Sequence, residues 1–422
     1  MLIEFSIGNY RSFKDKVTFS MVAANIVTKE KELDDNNIFA VDDDLKLLKS
    51  AAVYGANASG KSNLAKALSF MKWFMINSSK ETQSTEKIGV EPFELSTETE
   101  AQPSFFEIVF LLDGTKYRYG FEANQKRVIA EWLFYVPKTR EARLFERVYD
   151  VNSRNIKRLS KIFKAEGIYP KTRSNALFLS VAAQFNVEIA ERILDWLTKK
   201  VNIVSGLEDR DHLSYTISSL GKKNDNKSEI IQLIKKLDLG IKQIRIKEAE
   251  IITVEKSSYH FKTDDSIRTG HEKFGNKGNI SIKFFDLENQ ESEGTKKIIS
   301  IAGLLVDTLK YGKVLIFDEF DARLHPLIGK AIVELFNSKK TNSNNAQLIF
   351  MTHDTNLLSH KIFRRDQIWF TEKNKYGATD LYSLVEYKIL SDASFESDYI
   401  KGRYGAIPFI GDLSQLLGEP NA

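Results

Sequence analysis

Apolar residues gather in short, nearly unbroken runs towards the two ends of this chain, with longer alternating stretches between them. Leu47 to Tyr54, Val314 to Phe317 and Leu348 to Met351 are largely or wholly apolar over a strand's length, the pattern of parallel strands covered on both faces. Helical spacing sits beside them: Asn63 to Ile76 follows the first run, and Ile298 to Leu309 leads into the second. In the middle of the chain, Phe105 to Leu112 and Thr115 to Gly120 flank Asp113-Gly114, a hairpin signal. Ala190 to Thr198 and Ser228 to Leu237 have helical periodicity, and Ile241 to Phe285 returns to strand-like alternation. The pattern predicts an α/β domain split in sequence. Residues 1–75 and 286–390 supply its two halves, 76–285 form an antiparallel and mixed helical and strand insertion, and 391–422 form a C-terminal extension. No long heptad array and no internal repeat interrupts this plan.

Chemistry collects where the apolar runs end. After the first comes Gly55-Ala56-Asn57-Ala58-Ser59-Gly60-Lys61-Ser62, which fits the phosphate-loop pattern G-x-x-x-x-G-K-[ST]. Gly55 and Gly60 let the backbone fold tightly enough for its N–H groups to face phosphates, and the following helix adds a positive N-terminus. Lys61 would reach the β- and γ-phosphates, and Ser62 would hold Mg²⁺. The second run ends in Asp318-Glu319, which a parallel strand delivers to the ligand side of the sheet. Asp318 is expected on Mg²⁺, and Glu319 is placed to take a proton from the water that attacks the γ-phosphate. Ser292 and Gly294 stand where the second helix begins, able to cap it or to meet a phosphate. The third run ends in Thr352-His353, one helix and one return strand beyond Asp318. Most of the chain separates Lys61 from Asp318, unlike the short excursion of small GTPases and ring-forming motors. The string nearest to a guanine reader is Asn374-Lys375-Tyr376-Gly377, which lacks the required acid, so ATP is preferred to GTP.

With these pieces in order, the sequence resembles the ABC-type ATPase head of SMC, RecF and related chromosome and defence proteins. Asn9-Tyr10-Arg11-Ser12-Phe13, the G-x-N-x-S-G-K-S-N form of the phosphate loop, Ser292-Glu293-Gly294, Asp318-Glu319 and His353 carry the likeness. More closely, Phe178 to Asn186, Asp318 to Pro326 and Gly402 to Pro408 look like strings of the stand-alone bacterial AAA-type ATP-binding proteins of the RloA and AbiL kind. That resemblance implies an ABC-type P-loop ATPase head with an antiparallel β subdomain, a mixed α/β insertion and no long coiled coil. It implies nucleotide contacts for Arg11, Ser12, Asn57 and Asn63, and a γ-phosphate contact in cis for His353. Ser292 and Gly294 would meet the nucleotide of a second subunit, so catalysis would need an ATP-bound homodimer. Asp321 would lie on the loop that crosses the dimer interface, and Gln184 is the candidate for sensing Mg²⁺ and the attacking water. The reading is an ATP-hydrolysing switch that controls a separate effector in phage defence. A RecF-like clamp on DNA or RNA is the competing one.

Composition narrows the setting. The chain has 422 residues, enough for a large core, and no cysteine, which removes disulfides, thiolate metal sites and cysteine nucleophiles. No run reaches a membrane span and Met1-Leu2-Ile3-Glu4 lacks the basic start of a signal peptide, so a cytoplasmic protein without a membrane partner is expected. A net charge of +4 does not by itself call for nucleic acid. The basic pairs Lys222-Lys223, Lys235-Lys236 and Arg364-Arg365 are expected to be solvated faces.

Overall fold

The computed structural model describes residues 1–408 apart from 29, 82, 150–155, 208–209, 222–224, 238–239, 248–250, 254–259, 263–265 and 389–393. Two sheets face each other across the phosphate-loop helix. The nucleotide sheet has six strands, in the spatial order Val201–Ser205, Val314–Asp318, Gln347–Met351, Ser50–Tyr54, Ile368–Lys373 and Thr379–Ser383. The first five run parallel, and the last turns back antiparallel. Both ends of the chain therefore share one sheet, as the apolar runs indicate. Its outermost strand, Val201–Ser205, comes from the middle of the chain.

The second sheet is antiparallel throughout, with seven strands in the order Ile156–Leu159, Ala142–Val148, Val128–Val136, Thr115–Ala123, Ser104–Leu112, Leu2–Gly8 and Val17–Ser20. Asp113-Gly114 does make the tight hairpin, with Leu112 opposite Thr115. The first two strands of the chain belong here and not to the nucleotide sheet. The buried side chain of Gln347 fastens one sheet to the other: its carboxamide oxygen accepts from Leu2 N–H at 2.7 Å and its nitrogen donates to Leu2 O at 2.9 Å.

Alternation along the central strand explains why it needs cover on both sides. Ala51 and Val53 enter one core, with Leu64, Leu68, Met71 and Phe74 of the helix Lys61–Asn77 and with Phe106 and Phe121 of the antiparallel sheet. Ala52 and Tyr54 enter the other, with Ile301 and Leu305 of the helix Glu293–Tyr311, Val333 and Phe336 of Pro326–Asn337, and Tyr399 and Tyr404 near the C-terminus. A smaller three-stranded sheet, Ile241–Lys247, Ser266–Phe274 and Ile280–Asp286, leads into the helix Glu293–Tyr311. That helix, the longest described, has 19 residues, so no long coiled coil occurs among the described residues.

One of the three basic pairs departs from its expectation. Arg364 is only 2% exposed. Its guanidinium donates from Nε and Nη2 to the two oxygens of Asp366 at 3.1 and 2.8 Å, and from Nη1 to Asp34. A planar fork suits such bidentate burial, whereas composition alone reads two adjacent arginines as solvated. Lys235 and Lys236 are exposed, and Lys222-Lys223 lies outside the described residues.

A second buried charge holds the antiparallel sheet to the helix Phe178–Gln184. Glu131 is completely buried, and its carboxylate accepts from Tyr119 Oη at 2.9 Å, Arg147 Nε at 2.7 Å, and the N–H groups of Phe178 and Leu179 at 2.7 and 2.9 Å. The two N–H groups open a helix whose preceding residue, Leu177, offers no capping side chain. Glu131→Ala strands all four donors and should lower stability by about 3–5 kcal/mol. Urea denaturation of the variant beside wild type measures this, and a loss under about 1 kcal/mol would show that the network is dispensable.

Candidate nucleotide site

The phosphate loop is held from behind by the strands that follow it in space. Ser59 Oγ and Thr371 Oγ1 are hydrogen-bonded at 2.7 Å, and Thr379 Oγ1 donates to Ser59 O at 2.7 Å. Gly60 has φ 119°, and a Cβ there would stand 2.5 Å from Thr379 Oγ1. The position therefore requires glycine for both conformation and space. Because Gly60 brings no side chain to the N-cap of Lys61–Asn77, the first-turn N–H groups keep their positive end for an anion. Thr371 and Thr379 form the floor of the loop. They lie inside ordinary strand sequence, which offers no motif to mark them.

Lys61 is 7% exposed, and its ammonium donates to the loop's own carbonyls, Gly55 O at 2.7 Å and Ala56 O at 3.0 Å. Burial lowers its pKa to about 8, against the opposing pull of Asp318, Asp321 and Glu319. Ser62 Oγ donates to Asp318 Oδ1 at 3.1 Å, so the hydroxyl and carboxylate suited to a divalent cation already face each other. Among the described residues, no group of three or more His, Cys, Asp and Glu side chains forms a protein cage for a metal. A magnesium ion at Ser62 and Asp318 would keep water and substrate phosphates as its other ligands, which is the usual arrangement for that ion.

Glu319 follows Asp318 with φ 53°, a left-handed conformation that is costly for a residue with a side chain. The turn is held by Glu319 N–H donating to Asp318 Oδ1 at 3.1 Å and Ala322 N–H donating to Glu319 O at 3.1 Å. Gly206 closes it from the neighbouring edge strand: its N–H donates to Asp318 O at 2.7 Å, and a Cβ there would fall 2.0 Å from Glu319 O. Desolvation first, then the charges of Asp318 and Asp321, raise the Glu319 carboxyl above its ordinary value. His353 is held below its ordinary value, by desolvation first and then by Lys61, against Asp321 and Asp318.

A pocket of about 390 Å³ brings together Asn57, Gly60, Lys61, Ser62, Asn63, Asp318, Glu319 and His353. Ala58, Ser59, Met351 and Lys373 complete its lining. Gly55 is represented through its carbonyl on Lys61. Asp321 lies beneath the rim, its Oδ1 accepting from Thr352 Oγ1 at 2.8 Å and His353 N–H at 3.2 Å, so it tethers the histidine segment within its own chain. Other candidates stand away from the lining. Ser12 Oγ accepts from Nδ2 of the lining residue Asn63 at 2.8 Å, and Arg11 Nη2 pairs with Glu91 Oε1 at 2.6 Å. Gln184 ends the helix Phe178–Gln184, which packs on the loop helix without lining the pocket. Ser292 is exposed and caps Glu293–Tyr311 by accepting from Thr295 N–H at 3.1 Å; a Cβ at Gly294 would stand 3.3 Å from Arg323 O. Neither of these two lines the pocket of its own chain.

A phosphate loop on a central parallel strand, an acid pair on the strand two places away, and a histidine on the strand between them define the nucleotide site of a P-loop domain. The chain belongs to the family described as "AAA domain, putative AbiEii toxin, Type IV TA system", which matches residues 50–359. Similar solved structures include an SMC head domain from Thermotoga maritima, at 14% identity and a TM-score of 0.41, covering 92% of this chain and 99% of that one. Another is an Smc head domain with an extended coiled coil, bound to the C-terminal domain of ScpA and derived from Pyrococcus furiosus. It is 14% identical with a TM-score of 0.39, covering 96% of this chain and 98% of that one. The comparison with curated proteins returned no match. No helix among the described residues is long and apolar enough to cross a membrane.

The lowered pKa of Lys61 gives nucleotide binding a pH dependence. Phosphates need the ammonium form, so a free protein that has lost this proton must take one up on binding. ATP affinity should be level below about pH 8 and fall as pH rises, approaching about tenfold per unit, with proton uptake visible as a buffer-dependent heat in calorimetry. Affinity unchanged from pH 7 to 9.5 would rule out this linkage.

Proposed function

We propose that this protein is an ATP-hydrolysing switch that dimerises on ATP and controls a separate effector in bacterial phage defence, as a stand-alone ATP-binding protein of the RloA and AbiL kind. The observation that carries the enzymatic half is the placement of Glu319 in the same pocket as Lys61, Ser62 and Asp318, with a raised carboxyl pKa. Lys61 and the loop N–H groups hold the phosphates. Asp318 and Ser62 would hold Mg²⁺, which would supply charge neutralisation for the phosphates. Glu319 accepts the proton of the attacking water, and its raised pKa brings a carboxylate closer to working pH as a base. His353 stands at the γ-phosphate end.

The dimer is supported by what the pocket lacks. Ser292 and Gly294 stand at the start of the longest described helix and do not line their own pocket, so a second copy could bring that helix start to a γ-phosphate. A two-fold arrangement uses the same surface twice. The defence reading draws on the family description, which names a toxin of a toxin–antitoxin system. Cytoplasmic location remains part of this reading. A partner bound through 76–285 or through Gly402-Arg403-Tyr404-Gly405 would receive the signal; the latter loop packs on the nucleotide sheet through Tyr404 and Phe370.

Glu319→Gln should bind ATP like wild type while turning it over about 10²–10⁴-fold more slowly, and Lys61→Ala should lose binding itself. Rapid-filtration binding beside phosphate release separates the two effects; hydrolysis by Glu319→Gln at the wild-type rate would take the base role from Glu319. For the dimer, light scattering of Glu319→Gln should show mass doubling with ATP. Lys61→Ala mixed with Ser292→Arg should regain part of the activity that each lacks, through one intact composite site. Monomer mass in ATP together with no recovery on mixing would exclude the shared site.

A further inference from the structure

The carboxyl ends of the nucleotide sheet present their chemistry in a fixed order. Asp318 and Glu319 end one strand, His353 follows the next, the phosphate loop follows the third, and Lys373 ends the fourth. Acids and histidine thus stand on one side of the loop, and Lys373 on the other. Of the side chains lining the pocket, two are lysines. Lys61 is committed to the β- and γ-phosphates in the reading above. Lys373 has no such assignment.

Its position is built rather than incidental. Lys373 pairs across the strands with Thr379, the residue that supports Ser59 O and fills the space against Gly60. The connecting turn is locked by Asn374: its side-chain oxygen accepts from Tyr376 N–H at 2.9 Å and Ala378 N–H at 3.1 Å, and its own N–H donates to Ala378 O at 2.9 Å. At the tip Tyr376 is 67% exposed, with Lys375 Nζ 5.0 Å from its ring centroid. Thr379 N–H also donates to Ser12 O at 2.7 Å, which ties the hairpin to the N-terminal segment. An ammonium that lines the pocket and, three residues further on, an exposed aromatic ring are thereby carried on one hydrogen-bonded turn.

We propose that the hairpin Lys373–Thr379 forms the nucleoside half of the site, with Lys373 pairing with the α-phosphate and Tyr376 stacking on the base. This rests on the nucleotide-binding reading above and adds the residues that would receive the part of the nucleotide lying away from Asp318. Ser62 and Asp318, which would hold Mg²⁺, and Glu319, the proposed base, stand on one side of the phosphate loop, so a γ-phosphate assigned to that side would leave the α-phosphate and base to extend towards the strand that ends in Lys373. The α-phosphate carries a negative charge, which an ammonium neutralises. Base stacking on an aromatic ring tolerates any base, so the ring adds affinity without choosing between adenine and guanine.

The test compares binding of ATP and of inorganic tripolyphosphate to wild type, Lys373→Ala, Lys373→Arg, Tyr376→Ala and Tyr376→Phe, by calorimetry with Mg²⁺ present. Lys373→Ala should weaken both ligands by roughly tenfold or more, with Lys373→Arg close to wild type. Tyr376→Ala should weaken ATP by roughly 5- to 100-fold and leave tripolyphosphate unchanged, while Tyr376→Phe binds both as wild type does. If wild type binds ATP and both alanine variants bind it equally well, the hairpin assignment is wrong and the nucleotide site stands. Equal weakening of tripolyphosphate and ATP by Tyr376→Ala would also overturn the stacking role. Wild type that binds neither ligand would overturn the underlying reading and this inference with it.

Discussion

The parallel pairing that seats Ser50–Tyr54 between Gln347–Met351 and Ile368–Lys373 is the constraint on which the rest of the structure depends. It places the phosphate loop at the carboxyl end of the sheet, with a histidine strand on one side and a lysine strand on the other. It also exposes two faces of one short strand to two separate cores. The antiparallel sheet and the loop helix cover the first face, and the helices Glu293–Tyr311 and Pro326–Asn337 cover the second. Neither half of the chain can satisfy that strand alone.

The site puts opposed charges to different uses within this frame. Asp318 and Asp321 partly offset the cost of burying the Lys61 ammonium, and the same two carboxylates make Glu319 harder to ionise. Asp321 also holds the histidine segment through Thr352 and His353. A change at His353 is therefore mechanically linked to the turn that aims Glu319, since both segments converge on Asp321. Gly206 extends the linkage to the edge strand, because its backbone touches that same turn.

The loop, the acid pair and the histidine were legible because each ends an apolar run of strand length, and parallel strands carry their end residues to one rim. The hairpin at Asp113-Gly114 was legible from its turn chemistry. What stayed hidden depends on contacts between distant segments. Thr371 and Thr379 look like strand residues until they are seen under Ser59 and Gly60. Gly206 carries no motif, yet its missing side chain lets the Glu319 turn form. Arg364 reads as a surface charge because the sequence does not show Asp34 folding back onto it. Similarly, the strand character of Val201–Ser205 was masked by Asn202 and Ser205, polar residues tolerated at the open edge of a sheet.

The split of the nucleotide sheet also sets an order of events at the ribosome. Ser50–Tyr54 leaves the tunnel roughly 300 residues before either neighbouring strand exists, an interval on the order of 15–60 s at ordinary rates of synthesis. The antiparallel sheet needs nothing beyond Leu159 for its seven strands, so it can assemble during that wait and shelter Leu64, Leu68 and Phe74 of the loop helix. The opposite face, with Ala52 and Tyr54, lacks most of its cover until the last third of the chain emerges. Such a chain spends its synthesis with the strand that supports its active loop half dressed, and a molecular chaperone that binds short apolar strands would find its natural target there.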